Sequence, residues 1–227
     1  MITVYTSIIG NIDRLWSVPA AARDAKHVAF VDSPKEEFDM ETRLPVDTPV
    51  WEQRLVEPRW NNRRTARHYK TAPHRYLDGD VWIWVDGNVR LLTSPRKIVD
   101  ELLVNDFATL KHPDRSCVYQ ELHTCRRLRG VVGGKKEDYD AQEARYREEA
   151  MPAMWGLAET RVFIRRNNEL MRKFGEAWWY EIENYSLRDQ IGLPYVCWKM
   201  SIRWDELPGQ CRGDNRSPHW CYIPHGL

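Results

Sequence analysis

The chain has 227 residues, enough for one large domain around a single core, and 34 Lys and Arg against 33 Asp and Glu leave a formal net charge of +1. That balance argues against a general nucleic-acid coat, which would be strongly basic. No apolar run approaches a bilayer span, the opening MITVYTSIIG lacks the basic start of a secretory signal, and five cysteines without a CxxC argue against a disulfide framework or zinc ribbon, so a reducing, cytoplasmic setting is expected.

Short apolar runs then alternate with helical stretches. Residues 2–6 and 27–32 (HVAFVD) read as buried strands that end in polar residues. Residues 50–56 alternate and suit a more peripheral strand. A helix is expected over 61–73, stopping before Pro73. Residues 81–85 are the next strand. Ser94-Pro95 opens a helix, Ser as N-cap and Pro at the first helical position, burying Ile98, Val99, Leu102 and Leu103. Residues 107–110 form a short strand and 116–129 a helix. KKEDYDAQEARYREE (135–149) carries both charge signs and reads as a solvated helix. A strand follows over 157–164, then a long helix over 167–185 with Leu170, Phe174, Trp178, Ile182 and Tyr185 along one side. Residues 189–200 complete the helices, and the tail from 201 reads as irregular. The alternation predicts a single α/β domain over 1–200 with a mostly parallel sheet flanked by helices. Such sheets bind ligands at the carboxyl ends of their strands, where Asp32 and Asp86 would stand.

Four segments carry candidate chemistry. WIWVDGNV (82–89) has two readings. Asp-Gly between apolar residues is a strong hairpin signal. Apolar residues on both faces instead suit a strand covered on both sides, with Asp86 and Asn88 emerging as oxygen ligands for Mg2+ or Mn2+. Residues 54–75 carry seven Lys or Arg against one acid, and Arg63, Arg67 and Lys70 fall on one helical face, suited to a diphosphate or a nucleic-acid backbone. KHPDRSCVYQE (111–121) holds His112, Arg115 and Glu121, with His-Pro fixing a turn. SLRDQ (186–190) is either an N-cap or a source of Asp189 as base or partner of an acceptor hydroxyl. Cys211, His219 and Cys221 have only weak metal-site spacing.

YTSIIGNID (5–13), VAFVD (28–32), RRTARHYKTAPH (63–74), VWIWVDGNV (81–89), KHPDRSCVYQE (111–121), GLAE (156–159) and SLRDQ (186–190) occur in an order that resembles the TOD1/MUCI70 glycosyltransferase-like family, over about residues 2–200. The resemblance implies a GT-A type (Rossmann-like) fold, a nucleotide-sugar donor such as a UDP-sugar, and Mn2+ or Mg2+. It places Asp86 and Asn88 at the Asp-x-Asp metal position, with Asn costing one charge against that pattern, and His219 or His225 as a later ligand. It places Tyr5, Thr6 and Asp32 at the base and ribose, and Arg64, Arg67, Lys70 and His112 along the donor. Arg188, Asp189 and Gln190 would form the catalytic set. The acceptor would be a glycan, a protein or a hydroxylated base in phage-type DNA, with no membrane involved. The alternative is a nucleic-acid or phospho-ligand binding module built on residues 54–75 with Trp51, Trp60, Tyr69 and Tyr76 interleaved.

Overall fold

The computed structural model describes residues 1–10, 12–128, 135–209 and 217–224. Its strands are β1 (Ile2–Ile8), β2 (Leu15–Trp16), β3 (Lys26–Val31), β4 (Glu37–Phe38), β5 (Glu52–Leu55), β6 (Val81–Val85), β7 (Val89–Leu91), β8 (Phe107–Lys111), β9 (Ala158–Arg166), β10 (Asp205–Leu207) and β11 (Trp220–Tyr222). Its helices are α1 (Asn62–Thr71), α2 (Pro95–Leu102), α3 (Val118–Arg127), α4 (Lys136–Glu148), α5 (Glu169–Asn184) and α6 (Asp189–Lys199). Seven strands form a mixed sheet in the order β10-β8-β9-β6-β1-β3-β5. Both neighbours of β9 run antiparallel to it, and every other pair in this sheet is parallel.

The two readings of WIWVDGNV are now decided. All five residues of β6 are buried, with β1 on one side and β9 on the other. Alternation sends Trp82 and Trp84 into a core with Phe174 and Trp178 of α5, while Val81, Ile83 and Val85 meet Ile98 of α2 on the opposite face. Each such burial contributes roughly 1.5–3 kcal/mol, so both faces are needed and neither tolerates a polar alternation. β7 does not fold back on β6. A turn closes from Val89 N–H to Asp86 C=O (2.9 Å), and β7 then pairs with β11 in a separate ladder.

The helix ends follow local chemistry. Asn61 caps α1 by accepting from Arg64 N–H (3.0 Å), and Pro73 prevents its extension. Ser94 caps α2 through Lys97 N–H (3.2 Å). In α2, Ile98 and Leu103 are buried while Val99 and Leu102 are only half-buried. The apolar stripe of α5 runs Met171, Phe174, Trp178, Ile182, and Leu170 faces solvent.

Two expectations change. The charge-rich α4 is no free-standing solvated helix: it buries Tyr139, Gln142 and Tyr146, and Arg145 pairs with the buried Glu181 of α5. The tail is not wholly irregular. β10 extends the sheet beside β8, and β11 pairs with β7, because Leu207 and Trp220 need burial. Residues 210–216 and 225–227, with Cys211 and His225, lie outside the described residues. No helix among the described residues is long and apolar enough to cross a membrane.

Three buried histidines make the fold acid-sensitive. Burial lowers His27, His68 and His112 from 6.5 to about 4. A depressed folded-state value means that their contribution is complete above pH 6.5 and is lost as the pH falls towards 4. Each accounts for up to about 3 kcal/mol across that window. The urea midpoint should therefore fall steeply between pH 6.5 and 4, and a flat profile would contradict three neutral buried imidazoles.

Candidate active site

Helical spacing puts Arg67 and Lys70 on one face of α1, and that face meets the carboxyl edge of the sheet. Tyr5 Oη donates to Lys70 C=O (2.8 Å), and the buried Arg165 guanidinium donates to Thr71 C=O (3.1 Å), so the end of α1 is pinned to the core. Lys70 Nζ then lies 2.7 Å from Asp189 Oδ2 and 3.2 Å from Asp86 Oδ1. It also donates to Thr160 Oγ1 (3.2 Å), which in turn donates to Asp189 Oδ2 (2.7 Å). Arg67 Nε stands 3.4 Å from Asp189 Oδ1. A register shift in the β8–β9 ladder, held by Thr109 Oγ1 bonding to Glu159 C=O and Val162 C=O, presents Thr160 to this cluster.

Burial pushes the Asp189 carboxyl up, but Lys70 and Arg67 outweigh it and hold the group far below the usual carboxylate range. The reading of Asp189 as a base therefore meets a physical objection. A carboxylate clamped by two cations and a hydroxyl has little affinity for an acceptor's proton. The geometry suits a counter-ion that sets the positions of Lys70 and Arg67. Gln190 is buried beside it, its Oε1 without a hydrogen-bond partner among the described residues.

Asp86 ends β6 with its side chain 32% exposed, and its Oδ1 accepts from Trp84 Nε1 (2.7 Å) as well as from Lys70. At Gly87 the fit is tight: a Cβ there would lie 3.0 Å from the Asp13 side chain, which would have to give way slightly. Asn88 is nearly buried and lines a half-open cleft of about 500 Å3 together with Asp13, Arg14, Trp16, Lys35 and Phe38. At the end of β3, Asp32 Oδ2 accepts from Gly10 N–H (2.8 Å), and Lys35 Nζ is 3.4 Å from Oδ1. Burial acts to raise the Asp32 carboxyl, yet the Gly10 N–H and Lys35 together lower it.

This chain matches the TOD1/MUCI70 glycosyltransferase-like domain over residues 2–207. It belongs to that family. Its fold is similar to that of the WbbM bifunctional glycosyltransferase in the apo state, with a TM-score of 0.51 and 12% identity over 91% of this chain and 38% of that one. The chain thus spans well under half of that relative, and at this identity the likeness speaks for the fold alone. No curated protein matches in sequence.

Within this TOD1/MUCI70 domain several expected site residues lie elsewhere. Tyr5 is sealed in the core against Trp84, and Thr6 is buried beside it, so neither presents a face to a nucleotide. The physical reason is strand length: β1 continues to Ile8, which moves the carboxyl edge to Gly10. Arg64 reaches away to Tyr185 C=O (3.3 Å). His112 shapes its own loop, its Nδ1 accepting from Asp114 N–H and Arg115 N–H at 3.2 Å each. His219 contacts Thr93 Oγ1 (3.1 Å) and Glu101 Oε2 (3.7 Å), and is not brought to Asp86. The β7–β11 register is the cause: Tyr222 lies opposite Val89, which leaves His219 at the far end of the ladder. Arg188 is joined to Glu121 of α3 (3.0 Å), a hub that sequence reading left without a partner. Thr160 was missed altogether, because a threonine in a strand carries no signal.

Five cations of the basic segment bond within the domain, although Arg75 is exposed, as are Arg59 and Arg63. Arg54 bonds to Tyr76 C=O, Arg64 to Tyr185 C=O, Arg67 and Lys70 to Asp189, and Arg75 to Glu176. A stripe that tracks nucleic-acid phosphates needs its cations facing outward; Arg59, Arg63 and Arg75 are exposed, whereas Lys70 is buried.

Among the described residues no three His, Cys, Asp or Glu side chains gather as a metal site. The donors at this turn are the Asp86 carboxylate and the Asn88 amide, with the Asp13 carboxylate close to Gly87 between them. That set fits a hard cation only as a shared one, completed by a ligand's phosphate oxygens.

Proposed function

We propose that this domain transfers a glycosyl group from a nucleotide sugar, such as a UDP-sugar, to a hydroxyl of an acceptor, in a GT-A type site. The observation that carries the reading is Lys70 held between Asp86 and Asp189, with Arg67 on the same Asp189, at the carboxyl edge of the sheet and in a chain of this family. The cleft between the residue 12–16 loop and Asn88 is wide enough for a nucleoside, with Lys35, the partner of Asp32, at its β3 side.

As the bond between sugar and phosphate breaks, negative charge grows on the leaving nucleoside diphosphate. Lys70 and Arg67 are already oriented towards it, so they stabilise that charge more in the transition state than in the ground state. Asp86, with Asn88, would hold a Mn2+ or Mg2+ ion together with the donor phosphates, and the ion when bound adds positive charge to the leaving group. Asp189 acts as a positioning residue that keeps both cations in place. The acceptor is a glycan, a protein or a hydroxylated base in DNA.

The test is a panel of nucleotide sugars with Mn2+ or Mg2+, read as release of free nucleoside diphosphate. Release from at least one donor is expected. Purified, folded protein that releases none from any donor would overturn the proposal.

A further inference from the structure

A second ionic cluster lies beside the clamp and is not needed by it. Glu121 of α3 is 1% exposed, and its two oxygens hold two guanidinium groups: Arg188 Nε at 3.0 Å on Oε1 and Arg115 Nε at 2.6 Å on Oε2. Burial acts to raise the Glu121 carboxyl, but Arg188 and Arg115 outweigh it and keep it ionised. His112, 3.7 Å from Oε2, stays neutral because burial lowers it to about 4. Glu121 thus serves both arginines, and the neighbouring Asp189 carboxylate adds a coulombic contribution at Arg188. Asp114 is within electrostatic range of His112 and adds a weaker negative contribution at the rim.

The arginines are not consumed by Glu121. Their side chains remain 23% (Arg115) and 22% (Arg188) exposed, and Arg188 Nη1 and Nη2 make no hydrogen bond among the described residues. Two helices begin at the same place. Cys117 precedes α3 and Arg188 precedes α6, and neither end has a side-chain cap. Each first turn carries a carboxylate, Glu121 in α3 and Asp189 in α6, which offsets the positive helix end.

The sheet order says what this cluster faces. Along the carboxyl edge, Asp32 follows β3, Asp86 follows β6, Thr160 belongs to β9 and Arg115 follows β8. Adjacent strands are about 4.8 Å apart, so the arginine pair stands roughly 10 Å beyond Asp86, on the side away from Asp32. A nucleotide over β3 and a diphosphate at β6 place the donor sugar near β9. The next position, over β8, belongs to the acceptor. We infer that Arg115 and Arg188, oriented by Glu121, form a subsite for an oxyanion group, a carboxylate or a phosphate, carried by the acceptor. Guanidinium forks match both groups in geometry. This inference rests on the glycosyl-transfer reading for the placement of donor and acceptor.

The test is calorimetric titration of the full chain, with UDP present, against three oligosaccharides of equal length: one of uronic acids, one phosphorylated and one neutral. One charged ligand should bind about tenfold or more tightly than the neutral one, the effect of a charge-assisted pair, and which one binds identifies the group. Arg115→Gln should abolish that preference, and Arg115→Lys should restore part of it. Equal affinity for all three ligands overturns the inference, as does a preference that survives in a folded Arg115→Gln variant. A charge requirement found on the donor sugar instead overturns it too. The two readings fail separately. Nucleoside diphosphate release without acidic preference removes only the subsite. Acidic preference without release from any donor removes only the transfer chemistry.

Discussion

Asp189→Ala is expected to lower the unfolding free energy by about 3–5 kcal/mol, measured by urea denaturation at pH 7.5. The carboxylate is buried and touches Lys70 Nζ at 2.7 Å, Arg67 Nε at 3.4 Å and Thr160 Oγ1 at 2.7 Å. Removing it leaves the buried Lys70 ammonium with the longer contacts to Asp86 and Thr160, and Asp86 as its one close anion among the described residues. Breaking such a pair costs more than the pair itself contributes, because the partner's desolvation is no longer offset. Asp189→Asn should show most of the same loss, since an amide restores shape but not charge. A loss below about 1 kcal/mol would mean that Lys70 turns out to solvent and that the clamp is weak.

The same carboxylate has a distinct signature in acid. Its folded-state value is depressed, so its contribution is complete above the ordinary carboxylate range near 4. That contribution is lost only as the pH falls through the folded value, which lies below the usual range. The destabilisation between pH 6.5 and 4 therefore belongs to His27, His68 and His112 and should persist in Asp189→Ala. If the variant instead lost its acid transition, Asp189 and not the histidines would be its source.

Periodicity made most of the sheet legible before any coordinates. The run at β6 is apolar on both faces, and a central, doubly covered strand followed from that. Asn61, Pro73 and Ser94 marked helix ends because caps and prolines act locally. What stayed hidden depended on distance in the chain. Glu121 and Arg188 are 67 positions apart, and nothing local ties them. Thr160 reaches Asp189 only because a register shift re-aims it. Tyr5 and Thr6 looked like edge residues because the strand was read two residues short. The basic run of 54–75 is divided, with Lys70 buried and Arg59, Arg63 and Arg75 exposed, because composition reports how many charges there are and not which way they turn. The strands at Asp205–Leu207 and Trp220–Tyr222 are each three residues long, too short for alternation to register.

Asp86→Ala should separate activity from stability in the opposite sense to Asp189. We expect nucleoside diphosphate release to fall by roughly a hundredfold or more, the usual consequence of removing a preorganised electrostatic group, about 3 kcal/mol of barrier. Stability should fall by about 1–2 kcal/mol, less than for Asp189→Ala. Asp86 is partly exposed, and without it Lys70 still has Asp189 and Thr160, so no buried charge is left alone. Only the Trp84 indole N–H loses its acceptor. The loss should appear mainly in kcat, because Asp86 acts on charge that develops as the donor bond breaks. Raising Mn2+ should not restore the rate, since the missing ligand is the carboxylate that would share the ion with the donor phosphates. A variant that turns over donor at the wild-type rate would remove Asp86 from the chemistry. The leaving group would then depend on Lys70 and Arg67 alone, and Lys70→Met would become the decisive substitution.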